Sequence, residues 1–117
     1  MSNPNYIRTI SASISTANTD TLLYTVPANH TFVSFAKSIS ESSGSGDDQT
    51  NPVSAVFKER SGSGGGSVFA TVDSRKRQNV KEMFAGGVSI YVNSSDESVT
   101  ASMIGILFDE SMAPVAP

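Results

Sequence analysis

Apolar and small polar residues alternate one for one along much of this chain, and few folds accommodate that pattern. A period of two sends successive side chains to opposite faces of an extended backbone. In YIRTISASIS, residues 6–15, Ile10, Ala12 and Ile14 share one face, while Ser11, Ser13 and Ser15 share the other. The same alternation aligns Leu22, Tyr24 and Val26 along a second strand. Pro27 ends it, because proline has no N–H to give a ladder.

A third strand starts at Thr31, with Val33, Phe35 and Ile39 on its apolar face and Ser34, Ser38 and Ser40 opposite. Lys37 interrupts that apolar face, which predicts a rim position where the ammonium reaches water. ESSGSGDDQTNP, residues 41–52, is a polar loop of turn-forming residues. Val53 to Arg60 forms a fourth strand with Val53, Ala55 and Phe57 inward, and SGSGGGS, residues 61–67, is a hairpin tip. Val68, Ala70 and Val72 face inward in a fifth strand, and the charged connection DSRKRQN follows at 73–79. Val80 to Phe84 is a short sixth element, either a strand or one helical turn.

Ala85-Gly86-Gly87 turns the chain into Val88, Ile90 and Val92, and NSSDES at 93–98 turns it into the last strand. There Val99, Ala101 and Met103 share one face, whereas Ile104, Ile106 and Phe108 share the other. This predicts either a bulge near Gly105 that re-aims the side chains or a strand end covered on both sides. About eight short strands with turns at near-regular spacing predict an all-β chain, a single antiparallel β-sandwich that is jelly-roll-like or immunoglobulin-like. At 117 residues the chain is one domain, 1–117, with short terminal arms expected at 1–5 and 109–117.

Chemistry is sparse. A net charge of −3 gives no reason to expect nucleic acid or an anionic membrane as partner. Zero cysteine removes disulfides, thiolate nucleophiles and cysteine-based metal sites. The start lacks the basic and apolar regions of a signal peptide, so synthesis in a cytoplasm without export is expected. His30 sits in a turn with no carboxylate or nucleophile at a suggestive spacing. Asp47-Asp48, Asp96-Glu97 and Asp109-Glu110 are acidic pairs; a glycosidase would need two such acids to converge, and spacing gives no sign of it. SGSGGGS lacks the Gly-Lys-Ser/Thr ending of a phosphate loop. No catalytic residue, metal or cofactor is therefore expected. Two features are left over: the basic run Arg75-Lys76-Arg77 near Lys81, and apolar residues in excess of a half-buried sheet, namely Tyr6, Ile7, Ile104, Ile106 and Phe108.

The segment Tyr24-Thr25-Val26-Pro27-Ala28, followed by a polar turn and a β-rich run, resembles a recurring feature of small virion proteins of tailed bacteriophages. FAGGVSIYVNSSDESVTASMIGILF, residues 84–108, resembles their closing pair of strands. The resemblance spans residues 21–108, with Asn29-His30 where Gly-Lys is common in that group. It implies a non-enzymatic structural protein of the virion, a capsid decoration or cement protein that binds and stabilises the head shell. The partners implied are the chain itself, as a homotrimer, and the major capsid protein, with the protein located on the capsid surface and made in the host cytoplasm. The contacts would come from Tyr6, Ile7, Arg75, Lys76, Arg77, Ile104, Ile106 and Phe108. The alternative is a tail or fibre receptor- or glycan-binding module, with a groove between loops 42–52 and 61–67 near Tyr24 or Tyr91.

Overall fold

A computed structural model describes residues 5–41, 52–62, 66–96 and 98–117. The Asp47-Asp48 pair, Glu97, nearly all of the 42–52 loop and the centre of the 61–67 tip lie outside the described residues. Among the described residues there are nine strands: β1 (Arg8–Ile14), β2 (Thr21–Thr25), β3 (Thr31–Glu41), β4 (Ser54–Arg60), β5 (Ser67–Asp73), β6 (Glu82–Ala85), β7 (Ser89–Asn93), β8 (Val99–Phe108) and β9 (Pro114–Val115). No helix occurs among the described residues.

Two sheets face each other. The first has the order β1-β8-β3-β6, with β9 also on β8, and the second the order β2-β7-β4-β5. Every pairing is antiparallel. Within this order β4 pairs β5, β3 pairs β6, β2 pairs β7 and β1 pairs β8. The chain is thus one long hairpin wrapped into two sheets, which is the jelly-roll order and not the immunoglobulin one. The ninth strand lies in the segment expected to be a terminal arm, and the sixth element is a strand and not a helical turn.

The core lies between the sheets. Ile14, Phe32, Phe57, Ile90, Val92, Val99, Ala101 and Met103 are fully buried there. Five rings link the two layers in sequence of contact: Tyr24, Phe32, Phe84, Phe69 and Phe57, with centroids 5.1, 6.5, 5.0 and 6.3 Å apart. Such ring contacts add about 0.5–1.5 kcal/mol each beyond the area they bury.

The chain crosses between the sheets at two adjoining corners. Residues 26–30 carry β2 of the second sheet into β3 of the first, and 86–88 carry β6 of the first into β7 of the second. Val26 N–H donates to the Val88 carbonyl and Gly87 N–H to the Val26 carbonyl, both at 2.9 Å. Asn29 takes the left-handed conformation at φ 64°, which asparagine tolerates better than most residues. A Cβ on Gly86 would stand 2.8 Å from both Asn29 N and the Pro27 carbonyl oxygen, so only glycine lets the two corners touch. The Val26-Pro27-Ala28-Asn29 segment therefore fixes how both sheets are joined.

Three expected faces are corrected, each at a bulge. In β2 the register shifts between Leu22 and Tyr24, so Leu23 turns into the core and Leu22 stays exposed. In β3 the shift falls between Ser34 and Ala36, opposite Gly105 and Ile104 of β8. Phe32, Ser34, Lys37 and Ile39 thus line the core side, while Val33 faces outward and Phe35 is exposed. In the β4–β5 pair the shift at Phe57/Lys58 leaves Val68 exposed and brings Phe69 against Phe57 and Phe84. In β8 no switch of face occurs. Val99, Ala101, Met103, Gly105 and Leu107 all point inward, and the extra residue sits on β3 instead.

The β3 bulge overturns the rim position expected for Lys37. Only 1% of this residue is exposed. Its ammonium donates to Glu82 Oε1 and lies 5.8 Å from the centre of the Phe69 ring. Gln78 brackets it from the edge, exchanging backbone hydrogen bonds with Lys37 at 2.8 and 2.9 Å. The two ions differ in access, since the Glu82 side chain is 19% exposed and that of Lys37 is not exposed at all.

Three substitutions test this packing. At Gly105 a Cβ would collide with the Val33 carbonyl oxygen and stand 2.8 Å from Phe32 Cζ. Gly105→Ala is expected to cost about 3 kcal/mol in urea unfolding, at the upper end of overpacking penalties because backbone cannot retreat as a side chain can. Glu82→Met strands a buried ammonium and is expected to cost about 3–5 kcal/mol. Lys37→Met strands a carboxylate that reaches water, for about 1–2 kcal/mol. Equal costs would mean that water reaches Lys37.

Candidate functional site

Alternation and register together decide what the outer face of the first sheet displays. With Phe84, Phe32 and Leu107 inward, the neighbouring positions point away from the core. Met83 of β6 then pairs Val33 of β3, which pairs Ile106 of β8, giving one apolar row across three strands. Ile7 immediately precedes Arg8, whose partner is Gly105, so it enters the sheet beside Ile106. A neighbouring row runs Ala36, Ile104, Thr9, and a third runs Ala85, Thr31, Phe108, Pro114. Met83 is 62% exposed and Ile7 51%, whereas Val33 beneath them is 6% exposed.

Further along, the same face changes character. Ser38 pairs Ser102, which pairs Ser11, and Ser40 pairs Thr100, which pairs Ser13. Ser13 and Thr100 share a hydroxyl–hydroxyl hydrogen bond of 3.3 Å. The outer face is therefore divided into an apolar half, near the two corners, and a hydroxyl half. An isolated exposed aliphatic residue is unremarkable; several on adjoining strands form a patch with an unmet preference for burial.

Among the residues singled out in the sequence, the structure brings Ile7, Ile104, Ile106 and Phe108 onto this one face. Tyr6 is half-buried and falls one position out of phase with Ile7. Arg75, Lys76 and Arg77 are exposed elsewhere, on the connection from β5 to β6. Arg75 turns back onto Asp73, donating from Nε at 3.0 Å and from its backbone N–H at 2.8 Å. Those bonds hold the Asp73 carboxyl below its ordinary value. Lys76 and Arg77 line an open groove of about 470 Å³ with Thr71, Gln78 and Val80. Met83 and Val33 were missed because Met83 lies on a short strand and Val33 was assigned to the core.

The outer face of the second sheet carries a polar network with no strong signature in the sequence. Asp20 Oδ1 accepts from Asn93 Nδ2 at 2.7 Å and from Lys58 Nζ at 3.0 Å. These bonds, Asn93 first, lower the Asp20 pKa. The Arg60 guanidinium is 3.5 Å from Asp20 Oδ2 and lies 4.4 Å from the centre of the Tyr91 ring. Tyr24 packs against Phe32 in the interior-facing corner. Alternate placement of Lys58 and Arg60 on one strand is the only sequence hint of this network.

His30 lies beside a shallow cavity of about 390 Å³ with Asn29, Asp109 and Ser111. Its Nδ1 is 2.8 Å from the Ala28 carbonyl oxygen, a contact within its own turn. Asp109 Oδ1 accepts from Ser111 Oγ at 2.7 Å, Ser111 N–H at 2.9 Å and Ala113 N–H at 3.0 Å. The Ser111 hydroxyl is the main reason that its carboxyl is held below the ordinary value. This is a turn, in which both groups serve the backbone. No group of three or more histidine and acidic residues spaced to hold a metal ion occurs among the described residues.

No family model matches the chain, and no curated protein matches it. It is similar to two solved structures of a pentameric capsid protein isolated from metagenomic phage sequences. The first is 16% identical with a TM-score of 0.45, covering 92% of this chain and 68% of that one. The second is 17% identical with a TM-score of 0.44, covering 92% of this chain and 67% of that one.

Proposed function

We propose that this chain is a non-enzymatic structural protein of a phage virion, a capsid decoration or cement subunit that self-associates and binds the head shell. The observation that carries the reading is the apolar half of the first sheet's outer face, centred on Met83, Val33, Ile106 and Ile7. A shell-binding protein needs a rigid frame and a surface that gains by burial, and each bound copy then stabilises the shell by its own binding free energy. The sequence resemblance over residues 21–108 supports the same reading. Jelly rolls also occur in lectins and metal-binding cupins, so the fold by itself does not choose among these functions.

A receptor- or glycan-binding module at a tail or fibre is the second reading, favoured by the polar outer face around Tyr91. Sugar rings stack on open aromatic faces, and the Tyr91 ring is already met by the Arg60 guanidinium. That contact makes the second reading the weaker one.

Light scattering at two protein concentrations tests the assembly. A stable homo-oligomer is expected: a trimer on the sequence resemblance, with a pentamer as the competing outcome. Met83→Asp and Ile7→Asp alter exposed side chains and are expected to leave the thermal unfolding of the subunit nearly unchanged. Each carboxylate buried at an interface costs several kcal/mol, so about a hundredfold weaker association is expected for each variant. A wild-type chain that stays monomeric at both concentrations would remove self-association. An oligomer indifferent to both substitutions would place its contacts on another face.

A further inference from the structure

Two segments of the chain are written for the same edge of β8. β1 pairs β8 from Ile14↔Val99 to Arg8↔Gly105, and β9 then takes the next stretch, with Val115 on Leu107 and Pro114 on Phe108. Carrying the register of β1 back beyond Arg8 would set Ile7 against Ile106, Tyr6 against Leu107 and Asn5 against Phe108. The last two are the positions that β9 holds. The alternation continues as well. Tyr6 is in phase with Arg8 and Ile10, on the side where Val115 now packs against the core. Ile7 is in phase with the outward Thr9.

We infer that residues 5–7 and β9 are alternative occupants of this slot, so that the carboxy-terminal segment is an exchangeable strap. The present occupant is weakly equipped. Pro114 has no N–H, leaving Val115 as the one donor of a two-residue strand. The strap's turn holds Met112 at φ 64°, a strained conformation for a residue with a side chain. What retains the strap is the Asp109 turn and Arg8, whose guanidinium donates to the Val115 and Ala116 carbonyls at 3.2 and 3.3 Å. Meanwhile Ile7 N–H donates to Asn5 Oδ1 at 3.0 Å, a bond local to residues 5–7.

The exchange would extend the apolar row to a fourth strand, because Ile7 would pair Ile106 directly, and would free residues 109–117 to reach another molecule. That consequence rests on the proposed assembly role; the exchange itself does not.

The absence of cysteine makes the test clean, since within one chain the two introduced thiols have no other thiol to pair with. Asn5→Cys with Phe108→Cys reports residues 5–7 in the slot, and Pro114→Cys with Phe108→Cys reports β9 there. Directly opposed residues on antiparallel strands have the separation a disulfide needs. Both variants are expected to oxidise in a glutathione redox buffer as monomers. The Asn5–Phe108 disulfide should speed amide exchange of Val115 at least tenfold. In a variant truncated after Ala113, whichever of the Tyr6 and Ile7 amides faces β8 should become at least tenfold more protected.

The inference is overturned if the Asn5–Phe108 pair stays reduced where the Pro114–Phe108 pair oxidises. It is equally overturned if truncation leaves Tyr6 and Ile7 exchanging as in the full chain. These readouts concern one chain, so they hold even if light scattering finds no oligomer.

Discussion

No side chain fits on β8 where it passes the Val33 carbonyl and the Phe32 ring, and both faces of the first sheet depend on that close approach at Gly105. The β3 bulge lies directly opposite. One extra residue there puts Ser34, which is small and fully buried, at the tight crossing and hands the next inward position to Lys37. An ammonium placed between sheets must find an anion, and Glu82 of β6 supplies it. The bulge thus ties the placement of β6 to the interior by an ion pair whose worth lies in selecting one arrangement over others more than in net stabilisation. On the other side, the same shift leaves Val33 facing outward between Met83 and Ile106. The buried pair and the apolar patch are two results of a single register change.

The strands were legible in the sequence because alternation is a local signal, and Ile10, Ala12, Ile14, Val53, Ala55, Phe57, Ile90 and Val92 all face as their spacing says. The errors fall where one residue is inserted into the ladder: Leu22 for Leu23, Val33 and Phe35 for Phe32 and Ser34, Val68 for Phe69. A period of two carries no mark of an extra residue, since the bulge is defined against a partner strand distant in sequence. Gly105 misled for the opposite reason. It occupies an inward position while presenting no side chain, so the apparent change of face in β8 was a gap in an unbroken pattern.

The candidate surface was half legible for the same cause. Ile104, Ile106 and Phe108 stand out as apolar residues beyond what one face can use, and Ile7 as an apolar residue at the chain's start. Which residues flank them depends on strand order, which alternation leaves open. Once β6 and β3 are known to lie beside β8, Met83 and Val33 join the patch, while the basic turn at 75–77 is set apart from it. The interplay of small hydroxyl residues on the remaining half keeps that face soluble without a single charge in the Ser38, Ser102 and Ser11 row.

The nested order of strand pairs has a kinetic meaning. Bringing β1 to β8 from an open chain closes a loop of most of the molecule, whereas β4 and β5 are separated only by the short 61–66 segment. Loop-closure entropy grows with the length still unconstrained. If each inner pair forms first, every later closure adds only a short stretch of free chain, so the barrel-like wrap can zip outward from its middle despite its many distant contacts. The ends are then the last parts to acquire partners. The edge of β8 beside Arg8 is where that zipper stops, with whichever terminal strand arrives to complete it.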